Sequence, residues 1–203
     1  MSKQLLELQH IDLFSEKGCL VLETLLTPSQ REKYAQELHR VSGARNLWHR
    51  NAILKTLSLK RSFAHLAMEL CKLKTLRLAC DHLFPSLKEL QAFFKEGTCL
   101  KDLLSFNGLE IALLLNLSSH QEPLQDPLVT LPVYPGSALF FSPTFPLQFP
   151  EETIAGPFFL IVYAAPQARY IYKKEDPFTH DAKKEHAVFG DVLSNQEHPF
   201  FHS

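Results

Sequence analysis

The sequence predicts an α+β chain, helical first and β-rich later, on three observations. Proline is unevenly spread: only Pro28 and Pro85 precede residue 120, and the other eleven lie in the last 83 residues. Proline is poorly tolerated inside helices but common at turns and strand ends, so its distribution marks a change of structural class. Helical spacing of apolar residues is confined to the first half. In the second half short apolar runs alternate with turn residues, and five or more such runs imply a sandwich, jelly roll or barrel. The 203 residues suit one domain with a sizeable core. That domain is read as residues 1–203, helix-rich over 1–108, with a β-rich core over 109–173 and a C-terminal extension over 174–203.

The elements follow in order. Gly18 precedes "CLVLE", a short apolar strand. In "TPSQREKYAQELHRV" Thr27 is the N-cap, Pro28 takes the first helical position and Gln30 completes a capping box. Tyr34, Leu38 and Val41 then fall at i, i+4 and i+7, a stripe that faces a core. "SFAHLAMELCKL" and "LKTLRLACDHLF" read as two further helices, the second stopped at Pro85. His65 and His82 within them read as packed or boundary histidines rather than ligands. The strands are "LEIALLLNL", "LVTLPVY", "SALFFSP", "PFFLIVYAAP" and "ARYIYKKE". Phe158 to Tyr163 is apolar at every position, as in a strand covered on both faces. Burying those six side chains contributes on the order of 10 kcal/mol before entropy is counted. In "ARYIYKKE" alternation sets Tyr170 and Tyr172 on one face.

Composition bounds the function. With 45% hydrophobic and 21% charged residues and a net charge of −1, the chain is an ordinary soluble globular protein. No apolar run nears the roughly 18 residues that span a bilayer, and the amino terminus has no uninterrupted apolar segment of the secretory kind. The four cysteines, at 19, 71, 80 and 99, show no CxxC spacing and read as reduced, mostly buried thiols, with Cys71 and Cys80 as helix-packing residues. A cytoplasmic protein is expected. Residues 31–80 hold eleven Lys or Arg against three Glu, a local +8. The ordinary reading is a solvated helical face, with Arg31, Lys33, Arg40, Arg45 and Arg50 exposed; the alternative is a nucleic-acid footprint. No P-loop, nucleotide fingerprint or nucleophile elbow occurs.

The order "FSEKGCLVLETLLTPSQREKYAQELHRV", then helices, then strands including "PGSALFFSP", is similar to the phytanoyl-CoA hydroxylase branch of the Fe(II)/2-oxoglutarate dioxygenases. The resemblance covers most of the chain and is one of pattern. It implies a double-stranded β-helix (jelly-roll-like) core flanked by N-terminal helices. It also implies a facial triad of two His and one carboxylate on Fe(II), with 2-oxoglutarate and oxygen at the remaining positions. Two of those ligands come as H-x-D/E on an early core strand, and the third is a His after the strand resembling "SALFFSP". An Arg or Lys beyond it pairs with the cosubstrate carboxylate.

This chain departs from that pattern. Its two H-x-[DE] pairs are His10/Asp12, before the first strand, and His120/Glu122, in a polar loop after the strand that should follow the motif. At the third-ligand region stand Phe145, Leu147, Gln148 and Phe149, with Gln148 the only polar side chain, and "AGPFF" stands where the basic residue should begin the next strand. The expectation is a dioxygenase-like fold with no catalytic residues, no metal and no cofactor, retained as a binding or regulatory protein of unknown partner. One alternative is an active non-haem iron oxygenase, using Fe(II) and 2-oxoglutarate, with His120 and Glu122 joined to a distal histidine such as His180 or His186. Another is a metal-responsive or nucleic-acid-binding regulator using the basic 31–80 region. His180, His186, His198 and His202, with Asp181, Glu185 and Asp191, give the C-terminal end ligand types but no familiar metal spacing. Chain ends are commonly mobile, which weighs against a site there.

Overall fold

The computed structural model describes residues 6–38, 40–41, 44–95, 97–119, 131–150, 154–184 and 186–203. Helix α1 (Leu8–Lys17) begins in a capping box between Glu7 and His10 and ends at Gly18, whose φ of +73° is the left-handed conformation that glycine adopts without steric cost. Strand β1 (Cys19–Leu22) follows directly. Helix α2 (Pro28–Leu38) starts as its sequence predicts, with the Thr27 and Gln30 side chains each accepting from the other's backbone N–H, at 3.3 and 3.2 Å. A 3-10 turn (Leu47–His49) leads into α3 (Ala52–Ser58) and α4 (Arg61–Cys71). Then come β2 (Thr75–Phe84), α5 (Leu87–Phe93), α6 (Leu100–Leu103), β3 (Phe106–Asn116), β4 (Ala138–Phe141), β5 (Phe158–Tyr170), α7 (Asp181–Lys184) and β6 (Phe200–His202).

The six strands among the described residues form one antiparallel sheet in the order β1-β4-β3-β5-β2-β6. Successive strand residues point to opposite faces, so the sheet divides the core into two layers. On one face Ile111, Leu113, Phe140, Ile161 and Tyr163 pack with Phe63, Leu54 and Leu57 of the helical layer. On the other, Leu114, Phe141, Phe158, Leu160 and Val162 pack with Phe84, Phe94, Leu100 and Leu147. Phe158 to Tyr163 is fully buried, as its unbroken apolar run requires. No described helix is long and apolar enough to cross a membrane.

Three local expectations need correction. "LKTLRLACDHLF" is strand β2, not a helix. A bulge lies between Leu78 and Cys80 where β2 pairs with β5. Leu76 and Leu78 face the helical layer, and beyond the bulge Cys80 and Phe84 face the opposite one. The phase change breaks the two-residue alternation and leaves a spacing that imitates a helix. "PFFLIVYAAP" and the start of "ARYIYKKE" form one strand that stops at Tyr170, so Tyr170 is buried while Tyr172 is exposed. Of "LVTLPVY", Leu131–Tyr134 form no strand and residues 128–130 lie outside the described residues. The turn that launches β4 is as expected: at Gly136, φ +82°, any Cβ would sit 2.8 Å from the Leu26 carbonyl oxygen.

Candidate functional site

The loop after β4 is the segment to which the dioxygenase resemblance assigns a metal ligand. Proline at 143, 146 and 150 keeps it out of the sheet. It is pinned by hydrogen bonds from Ser142 N to the Gly18 carbonyl and from Lys101 N to the Pro143 carbonyl. Phe145 lies against Gly18, Leu147 is buried in the second core layer and Phe149 packs on that layer's edge. Gln148 is exposed. At the start of β5, where the resemblance places a basic residue, Phe158 is fully buried in the same layer. The two assigned places therefore converge on one interior layer, and both supply hydrocarbon. Rings fill it: Phe94 stands 6.2 Å from Phe141 and 6.3 Å from Phe84, centroid to centroid.

Fe(II) needs imidazole or carboxylate donors to offset its desolvation. Cys80 lies in this layer, where burial pushes its thiol up to about 12. Among the described residues no three His, Cys, Asp or Glu come together in a group able to hold a metal ion. The donors described do not fit iron.

The buried polar groups lie beside this layer. Arg45 Nη1 donates to both carboxylate oxygens of Asp176, at 2.8 and 3.0 Å, and its Nε donates to His82 Nδ1 at 3.4 Å. Asp176 also accepts from the Ser105 and Phe178 backbone N–H groups, and the Phe178 ring lies 4.3 Å from the guanidinium carbon. His82 is stacked on Phe84. Burial, reinforced by the Arg45 charge, lowers its pKa to about 3. One residue earlier, Asp81 accepts from Leu47 N, Trp48 N and Ser58 Oγ at 2.6, 3.0 and 2.7 Å. Burial raises its carboxyl to about 6, against the lowering effect of those donors. These groups fasten the 44–48 segment to β2.

Arg45 and Arg77 also correct the charge reading, because both are buried. Lys33, Arg40 and Arg50 are exposed and Arg31 is half-buried. Arg77 donates to the carbonyls of Pro166 and Leu193 and to Asn195 Oδ1, and lies 4.2 Å from the Phe200 ring. His198 joins the Tyr170 hydroxyl at 2.6 Å to the Leu78 carbonyl at 3.0 Å, and burial lowers its pKa to about 4. The C-terminal segment is thus stitched to the sheet rather than loose. His180 is exposed beside Tyr172 and Phe189, His186 is exposed just after α7, and His202 pairs with Thr75 in β6. His10 serves the α1 capping box and Asp12 is exposed; His120, Glu122 and Glu185 lie outside the described residues. His65 is exposed on α4. An Asp-His pair within the apolar run of β2 was the sequence signal for the buried polar groups.

Solved structures place this architecture. SnoK, a non-haem α-ketoglutarate-dependent carbocyclase from nogalamycin biosynthesis, superposes with a TM-score of 0.71 at 13% identity, covering 99% of this chain and 98% of its own. This is a dioxygenase-like fold. The epimerase SnoN, in complex with Fe3+, α-ketoglutarate and nogalamycin RO, matches with a TM-score of 0.67 at 15% identity, over 95% of this chain and 97% of its own. CT296 from Chlamydia trachomatis matches with 0.58 at 19% identity, over 81% of this chain and 99% of its own. No family model and no curated protein matches the sequence. At such identities the likeness is one of fold. The dioxygenase-like core is the antiparallel sheet with its N-terminal helices.

Proposed function

We propose that the chain is a single dioxygenase-like domain that has lost iron and cosubstrate binding and works as a binding or regulatory protein. The observation that carries this reading is the shared burial of Leu147 and Phe158 in one apolar layer, at the places where the resemblance calls for a histidine and a cosubstrate-pairing base. Restoring either function would need several substitutions together, each setting a polar or charged group among phenylalanines. The unpaired cysteines support a reducing, cytoplasmic setting. Titration of the purified chain with Mn(II) and 2-oxoglutarate, followed by calorimetry and by the electron-spin signal of free Mn(II), tests the reading. No saturable uptake of either is expected.

A second reading keeps the oxygenase chemistry and recruits His120 and Glu122 with a distal histidine. What supports it is the fold neighbour solved with iron and α-ketoglutarate. Saturable Mn(II) binding that disappears in His120→Ala would favour it.

A further inference from the structure

Strand β1 lies at one edge of the sheet, paired with β4 on one side and with no described strand on the other. Its bonding side is fixed by the Ser142 amide, which donates to the Gly18 carbonyl at 2.8 Å. In an antiparallel ladder alternate residues bond to the same neighbour, so Leu20 and Leu22 turn their backbone groups to β4. Cys19 and Val21 turn theirs outward. Natural sheet edges are blunted by charge, proline, a bulge or shortness. The sequence of β1, CLVL, is short but has no charge, proline or bulge, and Val21 is 37% exposed. Leu20 belongs to the helical-layer core and Cys19 packs on the opposite layer, so alternation puts Val21 on the same face as Cys19.

The charges at the two ends of the strand decide what fits this edge. At its amino end a cleft of about 470 Å³ is lined by Glu16 and Lys17, and at its carboxyl end one of about 430 Å³ by Glu23 and Arg31. None of the four has an ion-pair partner among the described residues. An antiparallel second copy of β1, related by a two-fold axis at Leu20, sets Cys19 opposite Val21 of the second copy and Val21 opposite its Cys19. Each of those pairs exchanges two backbone hydrogen bonds, and each covers one exposed Val21. The same register brings Lys17 toward Glu23 of the second copy and sets the amino-end cleft against the carboxyl-end one, where Glu16 meets Arg31. The Lys17 charge already acts on Cys19, next to the shared edge. A strand from an unrelated protein would gain the backbone bonds without this matching of charge. We propose that β1 pairs with β1 of a second copy of this chain, making the sheet continuous across a closed two-fold dimer. The contact is small, so the dimer is weak and concentration-dependent. The proposal goes beyond the loss of iron binding and stands whether or not the interior holds a metal.

The test is sedimentation equilibrium of the full chain at concentrations up to ~1 mM. A reversible equilibrium between monomer and dimer is expected, with nothing larger. Val21→Pro removes an outward amide where an edge strand tolerates proline, and should leave a monomer. Lys17→Glu should weaken the dimer ~10-fold, since two pairs are lost per dimer. Adding Glu23→Lys to it should restore the wild-type strength, a rescue that unfolding could not give. In Val21→Cys, mild oxidation should join the introduced thiol to Cys19 of the second copy, because paired strand residues lie within disulfide reach. Mass mapping of the linked peptides reads this directly. The proposal is overturned if the wild type stays a monomer at ~1 mM, if folded Val21→Pro still dimerises, or if the charge exchange restores nothing. It is equally overturned if the introduced thiols link only to each other, or if an open series of oligomers forms, as pairing of β1 with the β6 edge would produce.

Discussion

Arg45 and Asp176 are 131 residues apart in sequence and form an ion pair of 2.8 Å, with side chains only 3% and 0% exposed. The pair links the segment before the first 3-10 turn to the C-terminal extension, and Asp176 further fixes the Ser105 amide at the start of β3. Removing one member of a buried pair leaves the other charged and unsolvated. Asp176→Ala should therefore destabilise the chain by about 3–5 kcal/mol in urea unfolding. Arg45→Met combined with Asp176→Leu should cost clearly less, because no charge is left behind. Equal losses in the single and double variants would mean that the pair's charge is not what matters.

The C-terminal strand should prove integral to the sheet. Phe201 is buried against the helical layer and meets the Tyr163 ring edge-on at 5.8 Å. Phe201→Ala should cost about 3–5 kcal/mol, the range for a buried aromatic truncated to a cavity. Ending the chain after Pro199 should cost at least as much, since it also uncovers Arg77 from the Phe200 ring. Amide exchange on Leu76, which pairs with Phe201, should accelerate in the truncated chain, and unchanged protection would contradict this account of β6.

Stability should fall as the solution is acidified from pH 7 to pH 5. His82 and His198 have folded pKa values of about 3 and 4, below the ~6.5 of an unfolded chain. The stability they contribute is full above ~6.5 and is lost as pH falls, because the unfolded state takes up two protons that the folded state refuses. Asp81 acts in the opposite sense. Its folded value of about 6 exceeds the unfolded ~3.9, so its effect is most destabilising above pH 6 and is relieved on acidification. Near pH 5 the balance is about one proton taken up on unfolding, or ~1.4 kcal/mol per pH unit. Asp81→Asn keeps an acceptor for the Leu47 or Trp48 amide but removes the offset, so the slope should steepen toward two protons. A flat profile in the wild type would show that only one histidine is held neutral against the Asp81 offset, and stability rising on acidification that neither is.

Local features were legible in the sequence, and non-local ones were not. The Thr27–Gln30 capping box and the turn before β4 depend on residues within a few positions of each other, so their spacing carries the information. Strand β2 was misread because its bulge shifts the apolar phase, and nothing short of its pairing with β5 reveals that shift. Arg45 and Arg77 counted toward a basic surface, because their partners, Asp176 and the carbonyls around Leu193, lie far along the chain. The "SALFFSP" strand and the turn before it were legible, and β4 stands where they put it. That Leu147 turns inward while Gln148 faces solvent needed the sheet's register.

The most direct test of the central claim is to incubate the purified chain with Fe(II), ascorbate and 2-oxoglutarate, then to measure bound iron and succinate together. The phenylalanine-filled layer around Leu147 and Phe158 predicts no stoichiometric iron and no succinate above that formed by the metal alone. Near-stoichiometric iron with succinate above that background, both abolished by His120→Ala, would contradict it.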